Sequence, residues 1–235
     1  MKILLLADPV PSHTVKWVNS LSQAGIEVLL FGLSEYNHDL YNHDINIEIY
    51  KTPDDIKSKK DGSLLKSFYI SAYPSLKRAL NKFQPDILHS HYASSFGLLG
   101  TLCNFHPFFI SVWGNDVFDF PQKSLMHKYL LKYILSKTDM LFSTSRTMAK
   151  ETNLYTNKKI DIIPFGIDTE IFKPKIVKKI FNEGDIVIGT IKALEYNYGI
   201  EYETFLLFIK IKLDLNYSFG LCQCNAITLL WLCYI

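Results

Sequence analysis

Phe109-Ile110-Ser111-Val112-Trp113-Gly114-Asn115-Asp116-Val117 is the stretch on which the fold turns. It reads as a short apolar strand running directly into a polar, glycine-broken loop. Some twenty residues earlier stands a companion, Pro85-Asp86-Ile87-Leu88-His89-Ser90-His91-Tyr92. Apolar strands that each end in polar or ionisable side chains place chemistry along one rim of a sheet, and open α/β sheets bind ligands at that rim.

The pattern extends in both directions. Lys2–Ala7 is an apolar run without alternation, as expected of a strand buried on both faces. Asp8-Pro9-Val10-Pro11 breaks it. Ser12 is placed to cap a helix through Ala24, with Trp17, Val18, Leu21 and Ala24 on one stripe and Gly25 as the stop. Glu27–Gly32 follows as a strand and Ile45–Tyr50 as an edge strand. Charged, proline and glycine residues dominate 51–62, which reads as a loop.

Leu64–Phe83 has a helical pattern with a kink expected at Pro74. Further helices are expected at Ser94–Phe105, Gln122–Ser136 and Arg146–Thr152. In the second of these Leu125, Tyr129, Lys132 and Tyr133 recur at helical spacing. Further strands fall at Asp86–His91, Phe108–Trp113, Met140–Thr144 and Ile160–Pro164. Such alternation of strands and helices predicts an α/β fold, a doubly wound, Rossmann-like parallel sheet.

Composition narrows the function classes. The 235 residues are 48% hydrophobic, and 25 basic against 23 acidic residues leave a net charge of +2. That balance gives no electrostatic case for nucleic acid. Only Arg78 and Arg146 are arginines, against a large number of lysines, so an arginine-built phosphate surface is not expected. The cysteines are Cys103, Cys222, Cys224 and Cys233. Cys222 and Cys224 lack the two-residue gap of a zinc or redox pair and have no matching second pair. Asp116 and Asp119 are not a D-x-D pair, so no metal site is expected. The turn Asp8–His13 has no glycine where a dinucleotide pyrophosphate needs close backbone approach, which argues against an NAD-dependent epimerase or dehydrogenase. The N-terminal apolar run is too short for a signal peptide, and the apolar stretch Ala226–Ile235 is about half a bilayer span. A cytoplasmic location is expected.

In order and spacing, Pro85–His91, Trp113-Gly114-Asn115-Asp116, Ser143-Thr144-Ser145 and Pro164-Phe165-Gly166-Ile167-Asp168 resemble family 4 glycosyltransferases of the two-Rossmann-domain (GT-B) type. Gly189-Thr190-Ile191-Lys192-Ala193-Leu194-Glu195, followed by Tyr198-Gly199-Ile200, is similar to the opening of that family's donor domain. The resemblance covers roughly residues 1–202. It implies that 1–175 is the acceptor-side half of a GT-B fold, that 176–202 is a linker and the start of a donor domain, and that 203–235 is an atypical apolar tail. Family members carry a pair of glutamates seven residues apart in the donor domain, and no such pair follows Tyr202. The expectation is therefore an incomplete donor domain and a chain weakly active or inactive by itself.

The activity the resemblance implies is transfer of a sugar from a nucleotide-sugar co-substrate to a glycan or lipid-linked saccharide, without a metal or other cofactor. Peripheral association with the inner face of the membrane would accompany a lipid-linked acceptor. Asp116 and His91 are the catalytic candidates. Ser12, His13, Trp113 and Asn115 are the acceptor-side candidates: the start of the first helix offers backbone N–H groups, Trp113 an apolar face for a sugar ring and Asn115 an amide for hydroxyls. Lys192 matches the family's phosphate-pairing arginine and, with Glu195, is the donor-side candidate. Trp113 stands where many relatives have histidine.

Plainer roles compete at each position. His89 reads as a hydrogen-bonded strand residue, Asp116 as a cap, Ser145 as a helix N-cap and Asp168 as a turn former. A second function class also stays open, a non-catalytic acceptor-binding module that works with a separate donor domain.

Overall fold

The computed structural model describes residues 1–50, 69–170 and 172–173, together with the backbone of 217–224 and 227–234. Met1–Ile167 forms one compact unit and Asp168–Ile235 a second.

The first unit is built on strands β1 (Lys2–Leu6), β2 (Glu27–Gly32), β3 (Asn46–Ile49), β4 (Ile87–His91), β5 (Phe108–Val112), β6 (Met140–Ser143) and β7 (Ile160–Ile162). Their order across the sheet is β3-β2-β1-β4-β5-β6-β7, and each neighbouring pair is parallel. Parallel pairing requires crossovers. Those described are the helices α1 (Ser12–Gln23), α2 (Tyr73–Phe83), α3 (Phe96–Cys103), α4 (Asn115–Phe118), α5 (Leu125–Lys137) and α6 (Arg146–Thr152). The order reverses between β1 and β4, so the rim there is the topological switch point of the sheet.

Period-two alternation divides the core between the two faces. Leu4 and Leu6 join Leu88, Ile110, Leu76 and Leu99 beneath α2, α3 and α5, whereas Leu5 and Ala7 pack with Val18, Val28 and Leu30 beneath α1. The centre of the sheet is thus covered on both sides, which explains why β1 and β2 lack polar alternation. Gly100 marks the closest approach of α3 to the sheet. A Cβ there would lie 2.4 Å from a ring carbon of Phe108 and 2.9 Å from Ser90 Oγ.

Local chemistry shifts several expected boundaries. Ser12 is the first helical residue of α1, and the cap is Pro11, whose carbonyl accepts from the Thr14 and Val15 N–H groups at 2.9 and 3.2 Å. Pro11 serves because only its carbonyl is used, and Gly25 ends the helix region with φ +77°. Pro74 lies in the first turn of α2, where a missing N–H is harmless, so it starts the helix and does not kink it. Ser145 caps α6 as expected, its Oγ accepting from Met148 N–H at 3.2 Å.

In α5 the residues expected at helical spacing lie on the outer face. Leu131, Ile134 and Leu135 face the core, while Leu125, Tyr129, Lys132 and Tyr133 face outward. In the second unit, Asp168 shapes a turn: its Oδ1 accepts from Glu170 N–H at 2.9 Å and its carbonyl from Phe172 N–H at 2.8 Å. The stretch from Tyr217, which shows no stable period in sequence, forms an antiparallel hairpin of β8 (Tyr217–Cys224) and β9 (Ile227–Tyr234). The loop expected at 51–62 and the linker and donor-domain start expected at 176–202 lie outside the described residues.

Candidate functional site

The site begins with the alternation of β4. Leu88 and Ser90 point to the α3 side, where Ser90 Oγ donates to the Phe96 carbonyl at 3.0 Å. His89 and His91 therefore share the opposite face, and α1 brings Trp17 against them, with ring centroids 5.9 and 5.4 Å away. The two imidazoles are nearly perpendicular at 4.8 Å.

His89 is buried and its Nε2 lies 2.9 Å from Ser111 Oγ on the neighbouring strand. Burial pushes its pKa down to about 3, so the ring is neutral. His91, nearer the rim, is 1% exposed, and neither ring nitrogen has a hydrogen-bond partner among the described residues. Burial first, and His89 second, hold its pKa well below the ordinary histidine value.

Trp113 lies against His91. Its ring lies 4.6 Å from that of His91 at a tilt of 40°. From the other side come His13, at 6.0 Å edge-on, and Phe165, at 5.3 Å and nearly perpendicular. His13 and Phe165 are themselves stacked, 3.9 Å apart and 3° from parallel. Three segments distant in sequence thus converge on one aromatic rim: the start of α1, the turn after β5 and the segment after β7. Trp113 and Phe165 are half-buried and His13 is exposed, so the rim meets solvent.

The turn after β5 is fixed by Asp116. This carboxylate is fully buried, and backbone N–H groups donate to it from Gly114 at 2.8 Å, from Trp113 at 3.1 Å and from Ala93 at 2.8 Å. Burial raises its pKa, while the same N–H groups pull it back down. Asp116 ties the turn after β5 to the turn after β4, and Gly114 permits the path with φ +137°. The carboxylate is directed at the backbone, not at solvent. Asn115, one residue before it, is exposed.

The structure therefore gathers His91, His13 and Trp113 at one place, with Asn115 and Asp116 in the adjoining turn and Ser12 exposed beside His13. Lys192 and Glu195 lie outside the described residues. Two participants were not singled out from sequence. Trp17 reads there as one residue of a helix stripe, and Phe165 as part of a turn motif. For Phe165 the signal was the Pro164–Asp168 motif; its stacking on His13 spans some 150 residues and has no local signature. Thr14 Oγ1 is a further buried polar atom without a partner among the described residues.

Comparison with known proteins agrees with this architecture. The family model described as glycosyl transferase 4-like matches residues 2–145. An uncharacterized glycosyltransferase of Methanocaldococcus jannaschii is 24% identical over 164 residues, covering 66% of this chain and 41% of the relative. Among solved structures, sucrose-phosphate synthase of Thermosynechococcus elongatus superposes with a TM-score of 0.60 at 14% identity, over 74% of this chain and 50% of that one. The HepE protein of Anabaena, solved in complex with UDP, gives 0.55 at 12% identity, over 75% of this chain and 47% of that one. The chain thus spans about two-fifths of the curated relative and about half of each solved structure. With the family match spanning more than half of its residues and the parallel sheet shared with those structures, the chain belongs to the glycosyl transferase 4-like family.

Proposed function

We propose that the first unit is the acceptor side of a sugar-transfer site, taking a glycan or lipid-linked saccharide that receives a sugar from a nucleotide-sugar donor. The observation that supports this most directly is the aromatic rim of Trp113, Phe165 and His13 at the switch point of the sheet. Flat apolar faces beside hydrogen-bonding groups suit a pyranose, which has an apolar C–H face and an equatorial fringe of hydroxyls. On this reading Trp113 stacks on the acceptor ring, Phe165, perpendicular to it, borders that ring, and His13 and Asn115 hydrogen-bond its hydroxyls. Ser12 lines the same edge.

Asp116 acts as a positioning residue: it holds the turn that sets the Trp113 ring. His91 is the candidate for proton transfer: its ring is neutral, and neither ring nitrogen has a hydrogen-bond partner among the described residues. The donor end is assigned to Lys192 and Glu195, and a uridine nucleotide is favoured because the similar HepE protein was solved with UDP. A lipid-linked acceptor would place the protein at the inner face of the membrane.

The compact first unit carries the whole rim by itself. That favours, as a second reading, an acceptor-binding subunit that needs a separate donor domain. Saturation-transfer NMR of the chain with a panel of neutral oligosaccharides, followed by assay with UDP-sugars, tests both. Oligosaccharide binding that weakens at least about tenfold in Trp113→Ala, as loss of an aromatic anchor predicts, supports the acceptor site. Sugar turnover decides for the enzyme over the subunit. Oligosaccharide binding unchanged in Trp113→Ala, or none at all, overturns the proposal.

A further inference from the structure

The outward face of α5 has a composition that solvent alone does not explain. Leu125 is 73% exposed, Met126 60%, Tyr129 66% and Tyr133 49%. At 100° per residue these four fall within one quarter-to-third of the helix circumference, so they form a continuous apolar stripe. Lys128 and Lys132 lie along one edge of the stripe. Lys137 lies along the other, its ammonium 5.6 Å from the centre of the Tyr133 ring. No Asp or Glu occurs between Asp119 and Asp139, and none of these lysines forms an ion pair among the described residues. The segment is a basic, acid-free helix with long apolar side chains along the middle of its exposed face.

We infer that α5 is a docking surface for an anionic lipid membrane, its Leu125, Met126, Tyr129 and Tyr133 entering the headgroup boundary and its lysines pairing with lipid phosphate. Charge complementarity selects this occupant. Lysines on both edges of an apolar stripe suit a surface of negative headgroups over hydrocarbon. A second copy of the same face would set lysines against lysines. The tyrosines add an amphipathic element, rings in the apolar layer and hydroxyls in the wet one. No helix among the described residues is long and apolar enough to cross a membrane, so the contact is an interfacial one.

The position of α5 gives the contact a consequence. The chain leaves β5 at the ligand rim and enters β6, parallel to it, at the opposite edge, so α5 runs from the rim backwards and Leu125 and Met126 sit at its rim end. A membrane against this face would offer a lipid-linked saccharide to the aromatic rim from that side. The inference rests on the exposed face of α5 and not on sugar transfer.

Co-sedimentation of the full chain with vesicles tests it, comparing phosphatidylcholine alone with phosphatidylcholine–phosphatidylglycerol mixtures. Binding to the anionic vesicles at least about tenfold tighter, falling as salt is raised, is the expected result. Tyr129→Glu with Tyr133→Glu should abolish it, and Lys128→Glu with Lys132→Glu should remove the preference for anionic lipid. All four side chains are exposed, and unchanged urea midpoints will show that the variants fold. Equal binding by the tyrosine variant, which would put the contact elsewhere in the chain, overturns the inference. So does a self-association that the tyrosine variant dissolves while vesicle binding stays at background. Oligosaccharide binding unchanged in Trp113→Ala, which overturns the acceptor site, leaves this result untouched, so the two readings fail separately.

Discussion

Asp116 separates chemistry from architecture, and replacing it shows which it serves. Its carboxylate accepts three backbone N–H groups from two different turns, at 2.8, 3.1 and 2.8 Å, in a fully buried setting. Asp116→Ala leaves those donors without an acceptor. A buried donor left unpaired costs about 1–3 kcal/mol. Trp113 is half-buried, and its N–H recovers part of that from water, so the loss should be about 3–5 kcal/mol in total. With a urea dependence of about 2 kcal/mol per molar, the unfolding midpoint falls by about 2 M. Asp116→Asn keeps one acceptor oxygen for Trp113 and Gly114 but turns an amide NH2 toward the Ala93 N–H. It should lose roughly half as much. Tryptophan fluorescence suits the measurement, because Trp113 sits on the turn and Trp17 beneath it. If Asp116→Ala shifts the midpoint by less than about 0.5 M, corresponding to about 1 kcal/mol, the turn does not depend on the carboxylate and the positioning role is wrong. A near-wild-type midpoint together with lost sugar transfer would return Asp116 to direct chemistry.

Three further outcomes follow from the same geometry. His89 titrates at about 3 in the folded chain against about 6.5 unfolded, so below pH 6.5 the unfolded state binds the proton first and stability falls with falling pH. At pH 5 the loss is about 2 kcal/mol from His89, with His91 adding in the same direction; equal urea midpoints at pH 7.5 and pH 5 would contradict this. Gly100→Ala places a methyl 2.4 Å from Phe108 and should destabilise by about 1–3 kcal/mol despite alanine's better helix propensity, as thermal unfolding will read. Trp113→Ala should uncover His91 and move its pKa upward toward the ordinary histidine range; an imidazole NMR titration still lacking a transition above pH 5 would mean that Trp113 is not what shields it.

Much of the fold is readable in the chain because its signals are local. An apolar run without alternation, as in Lys2–Leu6, means a strand covered on both faces, and the first unit bears that out with helices on each side. Glu27–Gly32 and Arg146–Thr152 coincide with their sequence boundaries because capping and breaking residues flank them. The candidate site was legible in half. That His89 and His91 share a face follows from strand period alone. That Trp17 would lie over them, and that Phe165 would return to stack on His13, depends on how α1 and the segment after β7 settle on the sheet. No nearest-neighbour preference encodes that.

The orientation of α5 has a more general cause. Helical period states which residues share a face, not which way the face points. In α5 two apolar stripes coexist: Leu131, Ile134 and Leu135 on one side, Leu125, Met126, Tyr129 and Tyr133 on the other. A helix apolar on both sides gives only a weak pattern, and the tyrosine-rich stripe is easily taken for the core side. Packing decides otherwise, because the inward face must fit against α3, where a Cβ on Gly97 would lie 3.2 Å from the Ile134 Cγ2 methyl. A branched aliphatic fits that gap and a tyrosine ring does not. The rings are therefore left outside, beside lysines that no acid among the described residues neutralises, and an exposed stripe of this kind calls for a partner in a way that a lone exposed tyrosine would not.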